Sequence, residues 1–261
     1  MNGRHEGETV FITGAGPQLA KLSREEVRAL ERSITIGVNL TQYVVRPTYF
    51  LSAYLEHVEL ARHRSPGSVL IHMRPEYAPP LRPYILAMKR HQFEPGEKLP
   101  DALDPAEPTL FTRFNVILGA THLAYVMGAA RIVYVGVEQR NAVHFYSVDA
   151  RLRDQIRADL DLLPPHHGDA TDHPYFIHDR LKDRLSQSNE TLSARPFYQD
   201  DHTPTFAAYF KQLREDGLEI CTTTADSVIR DAGGTSADLS AMLAGRSGTG
   251  LSRFFRRRRF A

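Results

Sequence analysis

Six short runs along the chain are apolar at nearly every position and are bounded by turn-forming residues. They are TVFIT at 9–13, ITIGV at 34–38, TYFLS at 48–52, SVLIHM at 68–73, RIVYVGV at 131–137 and LEICT at 218–222. Their length and β-branched content predict strands, and the absence of a polar alternation predicts strands covered on both faces, as in a parallel sheet. A helical period takes over between them, at 24–32 and at 115–128. Ser23 and Glu26 stand ahead of the first helix in the S-x-x-E spacing of a capping box. Strands alternating with helices predict an α/β, Rossmann-like fold: a doubly wound, mostly parallel sheet with helices on both faces.

Two stretches break the pattern. Residues 74–108 carry eight prolines, and 164–204 include PPHHGDATDHPYF and RPFYQDDHTP. Irregular segments of this length in a compact domain act as lids or stay disordered, so both are expected to be lid-like parts of a single domain spanning 1–245. Residues 246–261 form an expected flexible tail ending in SRFFRRRRFA, with five arginines among three phenylalanines.

Composition narrows the functional classes. Lys plus Arg number 32 against 31 Asp plus Glu, so no global field points to nucleic acid. A single cysteine, Cys221, excludes an internal disulfide framework and cysteine zinc sites, and fits a reducing compartment. The opening MNGRHEGETVF has no apolar run of signal-peptide length, and no later run reaches the ~18 apolar residues of a membrane span. A cytoplasmic protein is expected. Only the tail departs from this balance: Arg and Phe together suit an anionic membrane surface, which would place the protein peripherally on the inner face; nucleic-acid binding and a plain flexible tail are the rival readings.

The first predicted strand runs into Gly14-Ala15-Gly16-Pro17-Gln18-Leu19. Glycines there let backbone amides approach an anion, and a following helix adds a favourable dipole. A dinucleotide fingerprint would need a third small residue at Leu19 and an acid at Asn39, and a Walker loop would need a Lys-Ser or Lys-Thr pair, so NAD and P-loop readings both fail. A simple chain turn at Gly14–Pro17, and a turn role for Asn39, remain the plain alternatives. Ends of adjacent parallel strands are where α/β folds bind ligands, so the pair together suggests a nucleotide.

Residues 111–149 form a helix feeding a strand that ends in a polar loop: Arg113 and Asn115 precede the helix, Gly136 and Glu138 end the strand, and Arg140, Asn141, His144 and Tyr146 follow. The G-x-G-P-[SQ]-L turn, the Asn after the second strand, and the N-x-x-x-x-A…G-A-x-R-I-x-x-x-G helix and strand resemble the family 42 bacterial sialyltransferases. The same pattern resembles their relatives, the Maf-type flagellin glycosyltransferases and the MptE-like pterin diphosphokinases. It runs from about residue 8 to about residue 230, with 74–108 and 150–200 poorly matched.

The resemblance implies that Gly14 to Leu19 hold the nucleotide phosphate and ribose, that Asn39 and Asn115 contact the nucleotide, and that Gly136 and Glu138 border it. It implies that Arg113 supports the donor site and that Tyr146 and Arg140 stand where two tyrosines hold the leaving phosphate. His202, in DDHTP, falls at the proposed general base. Gln18 replaces the usual Ser of the turn, Val116-Ile117 replace a Ser-Gly, and the residues near Ser52 lack the acid common in relatives.

These residues suit an inverting transfer from a nucleotide sugar to a glycan or lipid-linked acceptor, and the resemblance implies a CMP-linked nonulosonic acid as donor. An imidazole titrating near neutral pH can take the acceptor proton, while Arg113, Arg140 and Tyr146 stabilise charge on the phosphate. No cofactor or metal is required. Each residue has a plainer role open to it: His202 as a helix-entry residue, Arg113 as a surface ion-pair partner, Tyr146 as packing, with His144 a second candidate base. His166, His167, Asp169, Asp172, His173 and His178 match no standard metal spacing and are read as a solvated loop. Two other functions stay open: an MptE-like ATP-dependent diphosphokinase on a small hydroxymethyl substrate, needing Mg²⁺ with Glu138 its clearest ligand, and a non-catalytic nucleotide-binding protein tethered by its tail.

Overall fold

The computed structural model describes residues 1–74, 85–113, 115–139, 143–163, 185–186 and 201–244. The predicted strands form as β1 (Thr9–Thr13), β2 (Ile34–Val38), β3 (Tyr49–Ser52) and β4 (Val69–His72). Three short strands follow, β5 (Ile85–Ala87), β6 (Lys89–His91) and β7 (Thr109–Phe111), then β8 (Arg131–Val135), β9 (Glu219–Thr222) and β10 (Thr235–Ser236). Eight of them make one sheet in the order β10-β9-β8-β1-β2-β3-β4-β5, parallel throughout, while β6 and β7 pair separately. The chain builds outward from β1 to β5, then crosses back to add β8 on the other flank of β1. This is the doubly wound arrangement expected, and its switch point lies between β1 and β8.

Among the described residues the helices are α1 (Arg24–Glu31), α2 (Leu55–Arg64), α3 (Val116–Val126), α4 (Phe145–Val148), α5 (Ala150–Leu162), α6 (Thr203–Glu215), α7 (Val228–Asp231) and α8 (Leu239–Ala244). Short 3₁₀ turns occupy Pro17–Lys21 and Thr41–Tyr43. Successive strand residues point to opposite faces: Val10, Ile12, Ile132 and Tyr134 join the core beneath α3 and α6, whereas Phe11, Val133 and Val135 join the core shared with Leu19, Leu30 and Ile156. Both faces are apolar because both are covered, which is why the sequence shows no alternation. At α1 the capping box forms: Ser23 Oγ accepts the Glu26 N–H at 3.2 Å and Glu26 accepts the Ser23 N–H at 2.8 Å.

The chain from 85 to 111 contributes to the core. Met88, Phe93, Leu99, Leu103 and Leu110 are buried in the α3/α6 core. Helix α6 fastens them: Tyr209 meets Phe93 edge to face, and Gln212 accepts the Leu99 N–H at 2.9 Å while donating to the Glu97 carbonyl at 2.6 Å. The predicted strand at 131–137 stops at Val135 because Gly136 turns away with φ +64. The polar loop expected around His144 and Tyr146 is partly the short helix α4.

Inside α3 sits a buried imidazole. His122 Nε2 donates to the Pro100 carbonyl at 2.9 Å, and its Nδ1 faces the Phe111 N–H at 3.4 Å, so the neutral tautomer satisfies both nitrogens. Burial lowers its pKa from 6.5 to about 4, opposed by the bond to Pro100. A depressed imidazole stabilises the fold fully above pH 6.5, and that contribution falls away as pH drops toward 4, by up to roughly 3 kcal/mol. Urea midpoints should therefore drop between pH 7 and pH 5. His122→Gln, which keeps the donor to Pro100 without a titrating ring, should flatten that drop; an unchanged slope would show that the loss arises elsewhere.

Candidate functional site

In a parallel sheet a crossover helix runs back against its strands, so loops leaving the strands and N-termini of the helices preceding the next strand meet at one edge. That edge collects the described candidates. Gly14–Leu19 follow β1, Asn39 follows β2, Gly136 and Glu138 follow β8, Asn115 caps α3, and His202 is the N-cap residue of α6. Arg140, the histidine and aspartate cluster at 166–178, and the 246–261 tail lie outside the described residues.

The glycine turn is sewn to the loop after β8. Gly14 donates to the Val135 carbonyl at 2.9 Å, Gly16 to the Gly136 carbonyl at 2.9 Å, Leu19 to Gly16 at 3.1 Å, and Gln18 to Glu138 Oε1 at 3.2 Å. Four amides assigned to a phosphate thus already hold protein acceptors. The glycines are demanded by this approach: a Cβ on Gly14 would lie 2.6 Å from the Gly136 oxygen, and one on Gly16 would lie 1.3 Å from Glu138 Oε2. Burial pushes the Glu138 carboxyl above its ordinary range, against the Gln18 N–H, its own N–H and Lys21, while Asp226 adds to the rise.

Among the described residues, three non-glycine residues adopt left-handed backbone, and all three stand on this edge: Asn39 with φ 59, Arg113 with φ 50 and Gln139 with φ 57. Such conformations cost energy outside glycine and gather at functional sites. Asn39 Oδ1 lies 3.5 Å from Ser52 Oγ. Asn115 accepts the Ile117 N–H at 2.9 Å and donates through Nδ2 to Gln139 Oε1 at 2.7 Å, tying the start of α3 to the β8 loop. Sequence inspection did not single out Gln139; its signal was a polar residue just past a buried strand. The Arg113 guanidinium is paired with Glu94 and bonds the Phe93 carbonyl.

Tyr146 is a core residue, 4% exposed, in the cluster with Leu19 and Val135, stacked on His144 with ring centroids 4.9 Å apart. Its helix is held by the Phe145 N–H on the Ala15 carbonyl at 2.9 Å. At α6, the Phe206 N–H bonds the His202 carbonyl at 3.1 Å, and Asp201 accepts the Thr203 N–H at 2.9 Å. The helix entry thus fixes the backbone at His202.

Farther along the edge the structure adds residues the sequence pattern hid. Ser52 Oγ accepts the Tyr54 N–H at 3.1 Å and lies 3.3 Å from His57 Nδ1. Glu56, His57, Glu59, His72 and Arg74 are all buried. Glu56 stands in the first turn of α2 and is fully buried. The available signal was the charges inside the apolar run LSAYLEHVELA. On the opposite side of the glycine turn a polar cleft of about 310 Å³ opens between Gln18, Lys21, Thr223 and Asp238. That volume suits one sugar- or nucleoside-sized group.

The tight approach generates a stability test. Gly14→Ala drives a methyl into backbone that cannot yield and should cost about 1–3 kcal/mol. Gly67→Ala, where a Cβ would meet open space, should leave the thermal midpoint near that of the parent. Equal midpoints for the two variants would refute the close approach.

No protein-family model matches this sequence, and no curated protein matches it. Among solved structures, the Maf glycosyltransferase of Magnetospirillum magneticum AMB-1 aligns over 94% of this chain at 12% identity, with a TM-score of 0.44. The chain spans 37% of that protein's length. The α/β fold described above rests on this chain's own strand order and parallel pairing.

Proposed function

We propose that the protein is a glycosyltransferase acting on a nucleotide-activated sugar bound along the C-terminal edge of the sheet. The observation that carries the reading is convergence. The glycine turn, the capped start of α3 and the left-handed Asn39, Arg113 and Gln139 stand along the edge that contains the switch point, where doubly wound folds take ligands. Sequence resemblance extends the proposal to a CMP-linked nonulosonic acid donor and an inverting reaction.

In this scheme Asn39 and Asn115 orient the nucleotide, and His202 accepts the proton of the acceptor hydroxyl as the new glycosidic bond forms. The bond from the anomeric carbon to the phosphate oxygen breaks, and Arg113, Arg140 and Tyr146 receive the developing negative charge. Arg113 can be recruited at little cost, because its pair with Glu94 is partly exposed on both sides and such surface pairs contribute about 0–1 kcal/mol. The diphosphokinase alternative needs carboxylates around a Mg²⁺ at the phosphates. Glu138 turns its carboxylate into the glycine turn instead, which does not fit that ion.

Thermal denaturation with CMP, CDP, UDP or ATP, with and without Mg²⁺, tests the reading. CMP should stabilise without metal, by about 2.7 kcal/mol at a hundredfold excess over Kd. Stabilisation by ATP only with Mg²⁺ would favour the kinase, and binding without transfer to any acceptor would favour a sensor or scaffold. His202→Ala should lower transfer by about 10²–10⁴-fold and leave CMP binding in place; unchanged transfer would remove His202 from the mechanism.

A further inference from the structure

The carboxylate of Glu138 lies where the site should receive a ligand anion. One oxygen accepts the Gln18 N–H, and the other fills the space a side chain on Gly16 would take. We propose that Glu138 is an internal competitor for the anion seat of the glycine turn: its carboxylate and a nucleotide phosphate exclude one another at the Gln18 amide. This rests on the nucleotide reading above and deepens it by naming the residue that sets how readily the turn accepts a phosphate.

The seat is held in a way that permits exchange. Glu138 Oε2 is buried with no hydrogen-bond partner among the described residues, so half of the carboxylate gains nothing from its position. Asp226 opposes the charge there and Lys21 favours it, and a phosphate would inherit the same Lys21. The backbone need not move: the Glu138 carbonyl is fixed by the Val228 N–H at 3.0 Å, and the neighbouring Gln139 is fixed by Asn115. Rotation of one side chain is enough to vacate the amide. Steric and electrostatic exclusion act together, because a phosphate beside a seated carboxylate would also face an uncompensated like charge.

Calorimetric titration of the full chain, the Glu138→Gln variant and the Glu138→Ala variant with CMP, CDP, UDP and ATP separates the outcomes. If the carboxylate is seated about nine-tenths of the time, the apparent Kd of the parent is raised about tenfold. Glu138→Ala should then bind its nucleotide about tenfold more tightly. Glu138→Gln, which removes charge but keeps bulk, should show a smaller gain and decides the question if the alanine variant fails to fold. Nucleotide binding by the parent with equal or weaker binding by the folded variants overturns the competitor and leaves the nucleotide reading standing. No binding of any nucleotide by any of the three proteins overturns both.

Discussion

The structure depends on how closely two loops approach where β1 and β8 end. Adjacent parallel strands lie about 4.8 Å apart, so loops leaving them side by side collide unless one carries no side chains at the crossing. Gly14 and Gly16 remove those side chains, and Gly136 supplies the left-handed turn that brings the second loop across. Other elements are then fixed relative to this crossing. The 3₁₀ turn follows from it, α4 bonds to it through Phe145 and Ala15, and α7 bonds to it through Val228 and Glu138. The same contact that organises the fold consumes the amides that a nucleotide site would use, so folding and binding compete for one set of donors.

The fold was largely legible because parallel strands buried on both faces leave continuous apolar runs. All six predicted runs became strands of the main sheet, and Ser23 with Glu26 set the start of α1 as a local rule requires. Helices α2 and α5, of 10 and 13 residues, were not singled out, and the other elements missed are short. β10 has two residues, β5 to β7 have three each, and α4 and α7 have four. Elements of that size take their stability from neighbours rather than propensity, so their own residues carry little signal. Prolines marked 74–108 as irregular, yet its described part carries β5 and β6 and reaches the core: Phe93, Leu99 and Leu103 are buried there without a regular period.

The placement of the candidate residues on one edge of the sheet was legible, but their partners were not. Strand ends and glycine spacing located the edge, because those features are local. Which group takes the Gln18 amide depends on a residue 120 positions away, and no spacing rule reaches that far. Arg113 shows the same limit: its left-handed backbone is a feature of the site edge, while its guanidinium is directed by Glu94, nineteen positions earlier.

The edge is also chemically uneven, and this constrains any mechanism. Near β1 and β8 the described polar groups are mostly backbone, engaged with other backbone, and the Glu138 carboxylate intrudes. Beyond β3 and β4 the polar groups are side chains: Ser52, Glu56, His57, His72 and Arg74 are all less than a tenth exposed. Burying charge costs several kcal/mol per group before compensation, and apolar residues of similar volume would stabilise the same space at least as well. Folding alone therefore gives no reason for this composition.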